Sequence, residues 1–563
     1  LDGFTGFTPV QNRLLVQLMK LCRDVIITVT IDELEDPYTY RTPCQMFGMS
    51  KYTVSVLTRL AAESGIEQKP PKDLRKRPYY RFHACEALGF LEENLFRYSG
   101  KQYEKEQSAI AVFEAGNPRE EAAAAAEKVR RLVRTEGLRY REIGVIVTDL
   151  NGYGDYLERA FAEFGIPIFM DYKRSILLNS FVEYVRSILA MCEENFTFDS
   201  VFRFLRAGYG PLSNEEISGL ENYCLALGIR GYKKWQQRWI RRDKNMTEEE
   251  LEEANHLRVI LVELVDELVF ALKQRRKTVR DITEALYRFL EKEKLQQALK
   301  RQEEEFAAAG ELALAKEYAQ VYGAVIGLFD KFAELLGDEP VGLKEYCELL
   351  DAGLNEAKIG VIPPGLDQVI IGDVERTRLK DIRALLVLGL NDSLLPGALM
   401  KKGILSERDR EKFAAEKLML TPGSREQAYI QKFYLYLNLT KPEEKLYLFY
   451  SKSGSDGGAL RPAYLIGEIK KLFPGISAVD MTKTETAEKE LTPGTGIGEL
   501  VRGFRMRDDK VGSAWMELYS WYQRNPEWTA KVEGLLDAGF YSYHPKKISE
   551  MAAELVYGTH FQN

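Results

Sequence analysis

The first residues of the chain, LDGFTGFTPVQNRLL, contain its most informative acid. Asp2 follows an apolar residue, and a short loop then leads into apolar residues at helical spacing. In nucleoside triphosphatases, an acid at the end of an apolar strand, ahead of a loop and a helix, holds magnesium. Gly3 stands where such a site would carry its second acid. The segment therefore predicts a magnesium–nucleotide position from which one of the two acids has been lost.

The other motifs needed for nucleotide or DNA hydrolysis are missing from the sequence. A phosphate-binding loop has the pattern GxxxxGK[ST], and no segment matches it, since RYSGKQYEK has Gln102 in place of the hydroxyl. The ExK triplets of nucleases occur as EQK, EAK and EEK, as chance predicts in a chain rich in Glu and Lys. These absences favour a chain that is inactive by itself. The alternative is a divergent ATPase whose phosphate loop is not recognisable.

Two clusters combine basic and aromatic residues, which is the combination that grips single-stranded nucleic acid. In KPPKDLRKRPYYRFH the predicted DNA contacts are Arg75, Lys76, Arg77, Tyr79 and Tyr80. The second cluster, GIRGYKKWQQRWIRRDK, places Trp235 and Trp239 four residues apart, on one face of a helix. For the first cluster the alternative is a solvated surface segment without a binding role. For the second cluster the alternative is that the tryptophans belong to the core and the basic side is merely solvated.

Composition limits the class of protein without deciding its partner. A chain of 563 residues should hold about three or four domains. Its net charge of −7 neither supports nor excludes DNA, because a basic channel can lie within an acidic shell. The six cysteines form no CxxC pair, which predicts reduced thiols in a cytoplasmic protein. No signal peptide and no apolar run of the ~20 residues that span a bilayer are present, so no membrane partner is expected.

The order of elements predicts an α/β fold with parallel sheets. Residues 1–32 predict a strand end, a helix over about 8–21 and a further strand. A second strand–helix series follows, with Asn117-Pro118 as a helix start, IGVIV as a buried strand and a short strand after Gly165. The Gly-rich segment LTPGTGIGEL has the composition of a flexible linker.

The middle of the chain predicts almost only helices, from residue 211 to residue 355. Thr247 and Glu250 form a capping box at the start of one of them. Residues 367–390 then return to two β-rich runs, and residues 426–454 give a helix, a turn and a strand. A helical block is therefore predicted to interrupt an α/β domain.

Taken in series, these segments resemble the UvrD-like superfamily-one helicases. LDGFTGFTPVQNRLL follows the frame of their DEFQDTNxxQ motif, with Asp2 at the remnant Walker B position and Gly3 in place of the general base. Residues 120–169 match a block in which Thr148 replaces an ATP-contacting arginine. LLVLGLNDSLLP matches the fifth helicase motif, and YLYLNLTKPEEKLYLFYS matches the sixth, where Lys441 replaces another arginine.

Each replacement removes one part of the hydrolytic machinery that the resemblance implies. Without the general base, water is not activated. Without the arginines, charge on the γ-phosphate is not stabilised, and an arginine finger in related NTPases accelerates hydrolysis about 10³–10⁵-fold. A lysine cannot reproduce the guanidinium fork. Together the three replacements imply a helicase body that has stopped hydrolysing ATP at this position.

Longer phrases, among them DYKRSILLNSFVEYVRSIL and PPGLDQVIIGDVERTRLKDIRALLVLGLND, resemble the AddB family over nearly the whole chain. These are the second subunits of the bacterial AddAB (RexAB) helicase–nucleases, which process DNA double-strand breaks for recombination. The resemblance implies an AddA-type motor subunit as heterodimer partner, together with single- and double-stranded DNA. It places DNA backbone contacts at Arg376 and Arg378 of GDVERTRLK.

For a full-length family member the resemblance also implies ATP, magnesium and an iron–sulfur cluster. None of these cofactors is expected in this chain, which resembles an interior piece cut after the phosphate loop and before the nuclease domain. The chain would guide one DNA strand and dock the motor subunit. A scaffold that binds protein alone remains open as the non-DNA alternative.

The implied fold is a degenerate UvrD-like superfamily-one helicase body, in which RecA-like parallel-sheet domains carry large helical insertions. The implied domains are the remainder of a first RecA-like domain with a helical insertion (1–107), a second RecA-like domain (108–210 and 356–475), a helical insertion domain (211–355), and a linker with a helical segment (476–563).

Overall fold

The computed structural model describes residues 1–74, 80–170, 173–242, 246–360, 367–392, 394–395, 406, 409–410, 412–413, 422–483, 489–504 and 512–539. The chain divides into two compact units. We call Leu1–Met170 with Gly365–Asn563 the sheet unit, and Asp171–Pro364 the helical unit.

The strands are β1 (Ile110–Ala115), β2 (Ile143–Val147), β3 (Ile168–Met170), β4 (Lys173–Ser175), β5 (Lys358–Gly360), β6 (Val369–Asp373), β7 (Ala384–Leu388), β8 (Lys445–Ser451) and β9 (Ala478–Asp480). Seven of them form one sheet in the order β3-β6-β2-β7-β8-β1-β9, and every neighbouring pair is parallel. The predicted α/β fold with a parallel sheet is confirmed. Strands β2 and β7 are buried at every position, as their continuous apolar sequences IGVIV and ALLVL require.

The first helices of the sheet unit are α1 (Pro9–Leu21), α2 (Gly48–Glu63), α3 (Glu86–Asn94), α4 (Pro118–Glu136) and α5 (Leu150–Glu163). The helical unit contains α6 (Ser180–Glu193), α7 (Phe198–Leu205), α8 (Asn214–Leu227), α9 (Tyr232–Gln236), α10 (Glu248–Leu272), α11 (Val279–Lys292), α12 (Leu295–Ala308), α13 (Leu312–Leu335) and α14 (Leu343–Glu356). The sheet unit continues with α15 (Ser424–Leu439), α16 (Tyr464–Leu472), α17 (Pro493–Phe504), α18 (Ser513–Arg524) and α19 (Pro526–Gly539).

The helix starts that the sequence predicts are present. The Asn117 side chain accepts a hydrogen bond from the Glu120 backbone at 3.0 Å and caps α4, with Pro118 as its first residue. Thr247 and Glu250 form the reciprocal capping box of α10, with backbone-to-side-chain distances of 2.7 and 3.2 Å. Both starts are therefore fixed by local side-chain chemistry.

The predicted second strand of residues 1–32 does not form as a strand. The backbone of Leu1 bonds to Ile26 at 2.7 Å and to Thr28 at 3.0 Å, which is a parallel pairing one residue long. Among the described residues, this extended stretch has no further ladder partner. The predicted helix is confirmed as α1, because it needs only its own residues and the Thr8–Gln11 capping box.

The Gly-rich segment predicted as a flexible linker instead forms helix α17. Its glycines allow aromatic rings to approach closely: a Cβ on Gly496 would lie 2.5 Å from the Tyr522 hydroxyl, and one on Gly503 would lie 1.9 Å from Trp515 Nε1. Together with α18 and α19 the segment builds a small apolar cluster around Leu500, Tyr522 and Val532. The glycines of α17 therefore allow close packing between helices and do not make the segment a flexible linker.

The helical unit surrounds its own apolar core, to which α6–α14 all contribute or pack. Strands β4 and β5 form an antiparallel pair within it. Residues 173–210, which the sequence assigned to the second RecA-like domain, belong to this unit. The division of the sheet unit into two RecA-like domains stays a prediction.

Within the described part of the chain, no helix is long and apolar enough to cross a membrane.

Candidate functional site

A cleft of about 260 Å³ in the sheet unit is lined by residues from six separate parts of the sequence. The parts are the first residues of the chain, the extended stretch after α1, the start of α2, the segment before α3, the turn after β6 and the end of α15. The charged residues on its wall are Asp2, Arg81, Arg378 and Lys441. Three predicted site residues, Asp2, Gly3 and Lys441, and the predicted DNA contact Arg378 therefore lie together.

The turn after β6 positions Arg378. Asp373 is the last residue of β6, at the carboxyl edge of the sheet where α/β proteins bind ligands. Its side chain accepts hydrogen bonds from the backbones of Glu375 and Arg376 at 2.9 and 2.6 Å, which closes the turn. Gly372 leaves room for Thr377, because a Cβ there would lie 1.8 Å from the Thr377 hydroxyl. The close packing of Thr377 fixes the backbone that carries Arg378.

The end of α15 positions Lys441. Thr440 caps the helix, and its carbonyl accepts a hydrogen bond from Arg81 Nη1 at 3.0 Å. The Asn438 amide donates to the Val374 carbonyl at 2.7 Å and so joins α15 to the turn after β6. Arg378 lies with its guanidinium 5.6 Å from the centre of the Tyr434 ring, also on α15. The cations of the cleft are thus held by contacts between elements that are distant in sequence.

The cleft is positively charged. Burial, followed by the nearby Arg81 and Arg378, lowers the pKa of Lys441, and Asp2 opposes this shift. The hydroxyl of Thr28 donates to the Asp2 carboxylate and lowers the pKa of Asp2, so this acid stays ionised. Three cations face a single carboxylate, which makes the cleft a favourable place for an anionic group.

The residues of the cleft do not fit a site that hydrolyses a magnesium nucleotide. Among the described residues that line the cleft, Asp2 is the only one with a carboxylate, and Gly3 offers no base to activate water. Within the described residues no three His, Cys, Asp or Glu side chains are placed to hold a metal ion.

Thr148 and Arg376 lie outside the cleft lining. Thr148 follows β2 and donates to the Gly389 carbonyl at 2.7 Å, so its side chain ties β2 to the segment after β7. The Arg376 guanidinium lies on the surface, 3.8 Å from the Asp373 carboxylate. The structure therefore separates Thr148 from the other positions of the helicase motifs.

Four of the five predicted DNA contacts in the first basic–aromatic cluster lie outside the described residues: Arg75, Lys76, Arg77 and Tyr79. Tyr80 is described, and its side chain is 81% exposed. Arg81 lines the cleft. Its place in a basic cluster suggested contact with an anion, but the sequence could not show that it meets Asp2 and Lys441. Thr28 and Asn438 are two further contributors that sequence reasoning missed. The signal for Asn438 was a polar residue between the apolar residues of α15.

In the second cluster the tryptophans belong to the core, as the alternative predicted. Trp235 and Trp239 are 1% and 6% exposed, and their ring centres are 5.1 Å apart in the core of the helical unit. Helix α9 ends at Gln236, so the two rings meet without sharing a helix face. These tryptophans cannot stack on bases.

A buried carboxylate at the carboxyl edge of the sheet was not foreseen. Glu121 of α4 is fully buried and accepts hydrogen bonds from the Gly389 backbone at 2.6 Å, from the Tyr153 hydroxyl at 2.9 Å and from the Ser451 hydroxyl. Burial raises its pKa, and the three donors act in the opposite direction. One side chain thus joins α4, α5 and the ends of β7 and β8.

We expect the Lys441→Met variant to be slightly more stable than the parent chain, by roughly 0.5 kcal/mol after allowance for solvent screening. The change removes an ammonium group that is unfavourable there, first because it is partly buried and then because Arg81 and Arg378 repel it. Thermal unfolding at low salt measures the effect, with Lys470→Met on the exposed side of α16 as the matched control. A loss of stability in Lys441→Met alone would contradict this account of the cleft.

Known proteins match the chain along its length. Residues 1–92 match the family model described as ADDB, N-terminal. The chain is 38% identical over 565 residues to the B subunit of the ATP-dependent helicase/deoxyribonuclease from Lachnoclostridium phytofermentans, an alignment that covers 99% of this chain and 49% of that protein. The corresponding proteins of Acetivibrio thermocellus and Caldanaerobacter subterraneus are 34% and 32% identical, again over 99% of this chain and 50% and 49% of those proteins. The chain spans about half the length of the curated relatives it matches.

Proposed function

We propose that this chain, which belongs to the AddB family of helicase/deoxyribonuclease B subunits, is an inactivated helicase body that guides DNA and docks a motor subunit. In this role it contributes to the repair of double-strand breaks by recombination, in the cytoplasm. The motor is an AddA-type subunit that hydrolyses ATP, whereas this region turns over no nucleotide. ATP, magnesium and an iron–sulfur cluster belong, in this proposal, to other parts of the complex.

The observation that carries the proposal is the composition of the cleft. Asp2 and Gly3 lie far from Lys441 in the sequence, and all three line one cavity. The cavity keeps an acid and three cations but has a glycine in place of the general base and a lysine in place of an arginine. This arrangement supports a frame retained for shape and for contact with anions, without the groups that hydrolysis needs.

DNA guidance is supported by cations next to that frame. Arg376 and Arg378 follow the carboxyl end of β6, and both can reach a phosphate backbone that passes the edge of the sheet. Tyr80 presents an exposed ring beside Arg81, which is the pairing that holds a single strand by stacking and charge. Docking of the motor subunit is supported by the relatives, which are named as B subunits.

The test is a titration of the chain with a labelled single strand at two salt concentrations, with ATP turnover measured in the same samples. We expect binding that weakens as salt rises, because phosphate contacts release counterions, and no turnover above that of a mock purification. The Arg376→Ala, Arg378→Ala double variant should bind several-fold more weakly. Lys470→Ala and Lys471→Ala, on the surface helix α16, provide the control.

Two outcomes contradict the proposal and point to its alternatives. ATP turnover that persists through control purification would identify a divergent ATPase. Absence of DNA binding at low salt would leave a scaffold that binds protein alone.

A further inference from the structure

Two basic segments of the helical unit lie side by side on its surface. Residues 230–242 contain six Lys or Arg residues and residues 273–276 contain three, and neither segment contains Asp or Glu. All nine of these basic side chains are exposed. We call the two segments together the basic strip.

The first segment is fixed to the unit by its aromatic residues. Tyr232, Trp235 and Trp239 are buried, while the basic residues between them point to solvent. Asn255 of α10 bonds to the Trp239 backbone in both directions, at 2.9 Å each. Arg258 of α10 donates to the Trp235 carbonyl at 2.6 Å. The basic side chains therefore extend from an anchored backbone and lose little order on binding.

The second segment meets the first at Tyr232. The Lys273 ammonium lies 4.1 Å from the centre of the Tyr232 ring, whose hydroxyl donates to Asp266. Burial is the main cause that lowers the pKa of Lys273; Cys192 and Asp266 oppose the shift, and the charge of Lys233 adds to it. Two runs of positive charge, separated by about thirty residues in sequence, thus contribute to one positive electrostatic potential.

Little of this charge is neutralised within the protein. Among the described residues, Arg238 with Glu252 is the ion pair that the strip makes. A concentrated positive surface on a chain of net charge −7 creates a local potential that attracts an anionic partner.

We propose that the basic strip is a second DNA-binding surface, which holds the phosphate backbone of duplex DNA without reading its sequence. The inference rests on the proposed function for its choice of DNA, and it adds a site that is separate from the cleft of the sheet unit. The burial of the aromatic rings favours duplex DNA over single-stranded DNA as the ligand. With Tyr232, Trp235 and Trp239 in the core, the strip offers phosphate contacts but no platform on which unpaired bases can stack.

The test compares two triple variants of the full chain in titrations with a short blunt duplex and with a single strand. The strip variant is Lys233→Gln, Arg242→Gln, Arg275→Gln. The control variant, Lys300→Gln, Lys331→Gln, Lys344→Gln, removes three exposed lysines of the same unit that lie outside the strip. Glutamine keeps the side chains polar, so both variants are expected to fold.

We expect the strip variant to bind the duplex about 10–100-fold more weakly at low salt, with a salt slope that is shallower by roughly 3. Its affinity for the single strand should change by less than about twofold, since the strip has no stacking rings. The control variant should bind both as the parent does. If the triple variant does not fold, the single Arg242→Gln change should reduce the slope by about 1.

Equal losses in the two triple variants, or none in either, would overturn the inference. Single-strand binding without duplex binding by the parent chain would also overturn it while leaving the proposed function intact. If the parent chain bound neither the duplex nor the single strand, both the inference and the proposed DNA guidance would be wrong. Displacement of the duplex by polyglutamate at equal charge would show an acidic protein partner instead of DNA.

Discussion

Replacing Glu121 with alanine is expected to destabilise the sheet unit by about 3–5 kcal/mol. The change leaves the Gly389 backbone and the Tyr153 and Ser451 hydroxyls without their shared acceptor, in a position with no access to water. Hydrogen exchange read by mass spectrometry reports the two units separately. We expect faster exchange in β2, β7 and β8 and no change in the helical unit.

Two further variants separate the carboxylate from the helix that carries it. Glu136→Ala, at the exposed end of α4, should change stability by less than about 0.5 kcal/mol. Glu121→Gln keeps one acceptor oxygen and should cost less than the alanine variant. If the Glu121→Ala variant showed the same hydrogen-exchange rates as Glu136→Ala, the Glu121 carboxylate would not be the group that holds these strand ends together.

The pH dependence of the Glu121→Gln comparison has a defined sign. Burial raises the pKa of Glu121 in the folded chain above its unfolded value. The stability contributed by this carboxyl is therefore fully present below the unfolded pKa, near 4.5, and is lost as pH rises through the folded pKa. Because glutamine does not titrate, the stability of Glu121→Gln relative to the parent should improve as pH rises through that window.

The second large effect is expected at Trp235, where alanine should cost the helical unit about 3–5 kcal/mol. The side chain is 1% exposed and fills the core beneath the basic strip. Denaturant unfolding, with hydrogen exchange to assign the change to α8–α10, measures the loss. Ile240→Ala is the matched control in the same segment, because Ile240 is 81% exposed and should change stability little.

The Trp235→Phe variant tests what the indole contributes besides volume. Its Nε1 is buried and finds no hydrogen-bond partner among the described residues. Phenylalanine removes that unsatisfied donor while it keeps most of the apolar surface, so we expect a cost below about 1.5 kcal/mol. A loss as large as that of the alanine variant would contradict this description of the site.

Part of this protein is determined by sequence alone, because the responsible signals act over a few residues. Asn117 and Pro118 start α4, Thr247 and Glu250 start α10, and the unbroken apolar run IGVIV becomes a central strand. These features depend on caps and on hydrophobic periodicity, which any reader of the chain can see. The resemblance to the AddB family also lay in the sequence and is confirmed by relatives aligned over 99% of the chain.

The tertiary structure decided the remainder, because burial and convergence depend on residues far apart in the chain. Nothing local distinguishes Glu121 from the exposed acids of the same helix, yet it lies at the ends of β7 and β8 once the sheet forms. The same local pattern of cations and rings predicts base stacking in residues 230–242, whereas packing against α10 turns the rings inward and leaves only the charge outside. Asp2, Arg378 and Lys441 become neighbours because the first residues of the chain, the turn after β6 and the end of α15 meet at one cleft.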